Sequence, residues 1–301
     1  MTCIFCSQSQ VEVLVPKAFL SNPVDVLRCK RCKLVFLDCA AGKDELDPEE
    51  TAYWDNAEMK RVYLEKKVQS TFQVEFINRL ERMESLVKKG NHSLLDVGCG
   101  VGHFMNAAKK RDWKVTGLDI SKIASEAALE AYGVDVKVGT LEEAPIKPAT
   151  FDAITMWDVI EHIRRPLENV RAANRLLKIN GILVMKTPNE AGLFKKIALF
   201  CYRLFGRRGS FLLKYVYYVP HYFSYSRRTM NRLLRQTGFK PVAYEMDVTP
   251  QEFAVEKINL HYKKDPKRKL VIALLPLAGF LARLFKMPNK MTVYARKVKE
   301  V

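Results

Sequence analysis

The chain has 301 residues, 48% hydrophobic and 28% charged with few glycines and prolines, which excludes a disordered or fibrous protein and allows one large domain plus a small one, or two medium ones. Its net charge of +17 is uneven: residues 190–290 hold 20 Lys/Arg against 6 Asp/Glu, which points to an anionic surface as partner, or to a basic solvated face. MTCIFCSQSQ lacks the apolar core and cleavage site of a signal peptide, and the longest apolar run, Val271–Ala282, is too short to span a bilayer, so a cytoplasmic protein, soluble or peripheral at a membrane, is expected.

Seven cysteines exclude a fully paired disulfide framework. Four of them stand as Cys3-x2-Cys6 and Cys29-x2-Cys32, the ligand set of a structural zinc with no open coordination position. Cys39, Cys99 and Cys201 are left as ordinary small side chains. Residues 1–45 therefore read as a zinc ribbon, with strands around VEVLVP and DVLRCKRCKLVFL. Residues 46–92 are a linker and N-terminal helices, entered through the acidic stretch AGKDELDPEE. From Tyr53 to Val87 apolar residues such as Phe72, Phe76, Ile77 and Leu80 recur at helical spacing, until KKGNHS breaks the pattern.

Residues 93–301 alternate short apolar runs with helical stretches, which predicts an α/β fold with a Rossmann-like, seven-stranded, mostly parallel sheet and flanking helices. The strands are SLLDVG, KVTGLD, VDVKV, FDAITMWD, GILVMKT, a segment near Lys240–Asp247, and MTVYARK. Helices are read at 103–110, at 123–132 with Ser121 as cap, at 167–177, and at 226–236 with Gly238 as stop. Two basic, apolar insertions interrupt the pattern near residues 190–220 and 249–290.

SLLDVGCGVGHF places Gly98, Gly100 and Gly102 where the first parallel strand meets a helix, so a ligand can lie against the backbone. Asp119 ends the next strand, where a carboxylate takes both hydroxyls of a ribose. Two cofactor classes share this arrangement. Position 103 is His, so the third glycine of a dinucleotide motif is missing, and Asp96 would repel a pyrophosphate but suits a cationic ligand with a free ammonium group. Electrostatics therefore favour S-adenosylmethionine over NAD.

LLDVGCGVGHF, GLDIS and FDAITMWDVIEHIRRPLENVRAANRLLKINGILVMKTPN together resemble the class I S-adenosylmethionine-dependent methyltransferases, and within them the branch that includes the ubiquinone-pathway O-methyltransferases. The likeness is dense over residues 93–189 and thinner over HYFSYSRRTMNRLLRQTGF. RCKRCKLVFLD, followed by a Tyr-Trp pair, is similar to zinc ribbons fused ahead of such domains. The resemblance implies that Asp96, Gly98 and Gly100 line the methionine half, with Cys99 a small filler between them. It implies Asp119 on the ribose, Ile120 on the adenine edge, Leu141 and Glu142 gripping the adenine, and Trp157 closing near the methyl group. For Leu141 and Trp157, core packing is the other reading.

Methyl transfer needs a nucleophile, proximity and sometimes a base. WDVIEH brings Asp158, Glu161 and His162 beside the expected methyl position, and His162 is read as a general base, a metal ligand or a structural cap. The matching cluster of the ubiquinone-type enzymes has Glu where Asp158 stands, which weakens the metal reading. His221, in VPHYFSYS, is the second candidate base. The expected reaction is O-methylation of a small, lipid-linked or sugar-type acceptor. Two alternatives are an RNA methyltransferase that binds through the ribbon and the basic insertions, and a non-catalytic S-adenosylmethionine-binding module. The insertions themselves read either as in-plane segments at an anionic membrane or as a lid over the active site.

Overall fold

In the computed structural model, the apolar run SLLDV becomes a central strand because both of its faces are covered: Leu94, Leu95 and Asp96 are all nearly inaccessible to solvent. The structure describes residues 2–20, 24–38, 66–88, 90, 92–217 and 220–301. The acidic linker 41–50, Cys39, the Tyr53-Trp54 pair and the expected helix start lie outside these, as does the side chain of Phe72. Strands β1 (Val11–Val15), β2 (Val26–Cys29), β3 (Val35–Leu37), β4 (Ser93–Val97), β5 (Lys114–Asp119) and β6 (Val136–Val138) come first in the chain. They are followed by β7 (Phe151–Trp157), β8 (Leu177–Pro188), β9 (Phe223–Ser224), β10 (Phe239–Asp247) and β11 (Lys290–Lys297). The helices are α1 (Lys66–Glu84), α2 (His103–Lys109), α3 (Lys122–Tyr132), α4 (Pro166–Leu176), α5 (Leu193–Phe205), α6 (Arg227–Gln236), α7 (Gln251–His261) and α8 (Arg268–Leu284).

These elements form two compact units. One comprises residues 43–186, 231–244 and 293–301 and holds the seven-stranded sheet, apart from the far ends of β8, β10 and β11. The strand order is β10-β11-β8-β7-β4-β5-β6, and β4 pairs in parallel with both β5 and β7. Chain order reverses beside β4, so a crevice opens at the carboxyl ends of β4 and β7, where ligands of open parallel sheets bind. Phe76, Leu80 and Met83 of α1 pack on Leu94, Ala153, Ile182 and Val184, while Ile77 stays exposed. Phe76 meets Phe104 of α2 edge-on, with ring centroids 5.2 Å apart, a contact contributing about 1 kcal/mol beyond burial. The Ser121 hydroxyl accepts from Ala124 N–H at 3.0 Å, so the expected cap starts α3. Strand β8 begins at Leu177, directly after α4 and earlier than GILVMKT suggests; Asn180, at φ 68°, lies within this added stretch.

The other unit comprises residues 1–42, 187–230 and 245–292. Its sheet has the order β1-β2-β3-β9, with antiparallel neighbours. Thus Phe223 and Ser224, far along the chain, supply the fourth strand beside β3. Buried Lys195 of α5 is satisfied by Glu190 Oε2 at 2.8 Å and by the Ser224 hydroxyl, so α5 is tied to β9. The first insertion continues past α5 in 3-10 turns at 206–208 and 210–215, and the second folds as α7 and α8.

Candidate active site and thiol cluster

The residues read as cofactor ligands stand on the carboxyl ends of β4, β5 and β7 and on the turn after β6, all in one unit. Gly98 has φ 64°, and a Cβ there would come within 2.4 Å of Val159 Cγ2. Gly100 has φ 52°, yet a Cβ there would meet nothing within 4 Å. Only glycine adopts both conformations at little cost, and at Gly100 it leaves an open cradle against bare backbone. Cys99, between them, turns its side chain into a cluster with Met105, Ala128, Val134 and Val136. Burial pushes its thiol well above the ordinary value, so it is a neutral packing group.

Asp119 is buried, and both of its oxygens are oriented by backbone. Gly100 N–H donates to Oδ2 at 2.7 Å and Ser121 N–H to Oδ1 at 2.9 Å. These bonds fix the orientation of the carboxylate. Asp96 is fully enclosed. Thr155 donates its hydroxyl to Oδ1 at 2.6 Å, while Oδ2 has no partner among the described residues. Burial, with Asp119 nearby, pushes the Asp96 carboxyl up to about 7. Thr155, which the sequence motifs do not mark, is the one hydroxyl in an apolar central strand and the in-register partner of Asp96.

Leu141 is buried and Glu142 exposed in the turn after β6, and Asn169 donates to Glu142 Oε1 at 3.1 Å. Ile120 is half-buried beside Asp119. Trp157 ends β7 with its ring 4.7 Å from Phe104 and 5.5 Å from Phe76, so it does serve the core. Its indole nitrogen is buried without a partner among the described residues. In register with Trp157 on β8 is Lys186, which is ion-paired with Glu75 of α1. His162 lies in the turn 160–162 that follows β7, half-exposed. Asp158 precedes that turn at φ 56°, its N–H held by the Lys186 carbonyl at 2.9 Å. His221 belongs to the other unit, just before β9.

The four paired cysteines also converge, within the unit that holds β1–β3. Their Sγ atoms all lie within 4.8 Å of one another, with Cys3 and Cys32 at 3.5 Å and Cys6 and Cys29 at 3.5 Å. The two knuckles are built alike. Ser7 N–H donates to Cys3 C=O at 2.8 Å and Lys33 N–H to Cys29 C=O at 3.0 Å, with φ 52° and 67°. Cys32 N–H also points at Cys29 Sγ, 3.5 Å away. Four thiols so placed are a donor set for a tetrahedral ion.

A family model described as a methyltransferase domain matches residues 64–244. The chain belongs to the class I S-adenosylmethionine-dependent methyltransferases. The methyltransferase domain is similar to the ubiquinone biosynthesis O-methyltransferase of Xanthomonas campestris pv. campestris (strain B100), 35% identical over 118 residues, 37% of this chain and 49% of that protein. The protein of the same name from Paracidovorax citrulli is 30% identical over 152 residues, 48% of this chain and 63% of its own length. The chain spans about half the length of the first curated relatives it matches. A SAM-dependent methyltransferase from Archaeoglobus fulgidus shares the fold, with a TM-score of 0.50 at 18% identity over 76% of this chain and 94% of that one. S-adenosylmethionine fits the methyltransferase site on two counts: Asp96 Oδ2 is a buried acceptor without a partner among the described residues and suited to an ammonium group, and Gly100 leaves room against the backbone.

Proposed function

We propose that the chain methylates a hydroxyl oxygen on a small, lipid-linked or sugar-type acceptor. S-adenosylmethionine, when bound, supplies a methyl group on a positively charged sulfur. Asp119 would hold the ribose hydroxyls, since its two oxygens are already fixed by Gly100 and Ser121. Asp96 would take the methionine ammonium on Oδ2, which favours its ionised form against the burial that raises its pKa. Gly98 and Gly100 would admit the methionine half to the backbone, with Cys99 packing beneath. Ile120, Leu141 and Glu142 would frame the adenine, and Trp157 would face the reacting end from β7.

His162 is proposed to accept the acceptor's proton, because it follows directly on the strand that carries Trp157. His221 is the second candidate for that role. Cys3, Cys6, Cys29 and Cys32 are proposed to hold a zinc ion that ties the two knuckles and does no chemistry, since four thiolates close its coordination. The observation that carries the reading is the pair of buried carboxylates, Asp96 and Asp119, flanking the open glycine loop. Its test is a turnover assay for S-adenosylhomocysteine against hydroxylated lipids, glycans and quinol precursors. Turnover with a hydroxylated acceptor supports the reading; turnover with RNA alone replaces it.

A further inference from the structure

Helices α5 and α8 pack together in one unit and leave large apolar side chains in solvent. On α8 these are Leu270, Leu274, Leu277, Phe280 and Leu284, each 45–60% exposed and spaced so as to form one stripe along the helix. The inward side, with Val271, Gly279 and Ala282, is apolar too. Between Lys269 and Arg283 the helix carries no charge. A helix that is apolar all round is ordinarily enclosed by protein or lipid. Here half of it is not. Phe200, Leu204 and Phe205 at the end of α5 and Phe285 after α8 extend the exposure, each 59–64% accessible. Single exposed apolar residues mean little, but a group of this size marks an interaction surface.

Charge identifies the occupant. Arg203, Arg207 and Arg208 flank the α5 residues, and Lys267, Arg268, Lys269, Arg283 and Lys286 stand at the two ends of α8. No acidic residue occurs in residues 191–244 or 266–290. A second copy of the chain would bring like charges together across a symmetric interface. An RNA groove would not expose aliphatic leucines. We propose that α5 and α8 form a docking surface for an anionic phospholipid bilayer, with apolar side chains in the acyl boundary and Lys/Arg at the headgroups. Helix α8, 17 residues long, spans only about 25 Å and has cations at both ends, so it lies in the interface plane. Among the described residues no helix is long and apolar enough to cross a membrane.

Vesicle binding tests this without cofactor or acceptor, so its outcome is separate from that of the methyl-transfer reading. The full chain is sedimented with phosphatidylcholine vesicles, with and without about a third phosphatidylglycerol. Pelleting with the anionic vesicles, weakened but not abolished by physiological salt, is expected. Leu274→Glu with Phe280→Glu lowers vesicle affinity about tenfold or more, and Arg203→Glu with Arg207→Glu removes the preference for anionic lipid. Both pairs lie in solvent, and unchanged circular dichroism confirms their folding. No pelleting at low salt, or equal pelleting by the Glu variants, overturns the proposal. So does a wild-type dimer in solution that Leu274→Glu dissociates while vesicles stay unbound.

Discussion

Thr155 donates its hydroxyl to Oδ1 of Asp96 at 2.6 Å, across adjacent strands and out of reach of water, while the other carboxylate oxygen has no partner among the described residues. That asymmetry makes pH the first variable to test. Burial raises the Asp96 carboxyl from 3.8 to about 7 in the free protein. A carboxyl raised on folding contributes stability that is fully present below its unfolded value and lost as pH rises through its folded one. The unliganded thermal midpoint therefore falls between about pH 4 and pH 7, as far as this group controls it. Cofactor affinity moves the opposite way, because an ammonium ligand needs the ionised carboxylate. Below about pH 7 it weakens by up to tenfold per unit. Asp96→Asn removes both slopes, and calorimetry at several pH values reads them.

The two glycines that open the loop are expected to fail differently. Gly98→Ala meets Val159 in a left-handed conformation and destabilises the fold by about 3 kcal/mol. Gly100→Ala has no steric neighbour, so it costs about 1 kcal/mol of backbone strain. Its methyl group projects into the ligand's space and lowers cofactor affinity about tenfold or more. Equal loss of stability in the two variants would mean that the loop is not open as described.

For the thiol cluster the expected outcome is about one zinc per purified chain, released by strong chelators. Cys3→Ser or Cys32→Ser loses the metal and exposes residues 2–38 to proteolysis. A metal-free wild type with the same protease resistance would remove zinc from the account.

Much of the site is legible in the sequence because its signals are local. The glycine loop, Asp96 and Asp119 are set by runs of a few residues, and so is the Ser121 cap on α3. What escapes depends on register or on distant pairing. Nothing in FDAITMW says that Thr155 stands opposite Asp96 until β4 and β7 are aligned. The ion pair from Lys186 to Glu75 needs α1 placed over β8. The pairing of β3 with Phe223–Ser224 joins segments whose sequences carry no mutual signal. Ile77 shows the limit of periodicity: its spacing is helical, but the stripe that packs is Phe76, Leu80 and Met83.

The two imidazoles are separable by kinetics. His162→Ala is expected to lower kcat about a hundredfold or more, with cofactor affinity unchanged. Such a loss in His221→Ala, with His162→Ala fully active, would transfer the role to His221.

Titration of S-adenosylmethionine into the wild type and into Asp119→Ala, followed by heat, tests the central claim most directly. The wild type binds with a stoichiometry of about one, and the variant loses about a hundredfold in affinity, because two charge-assisted hydrogen bonds to the ribose are removed at once. Equal affinity in the two proteins, or binding of NAD in place of S-adenosylmethionine, would contradict it.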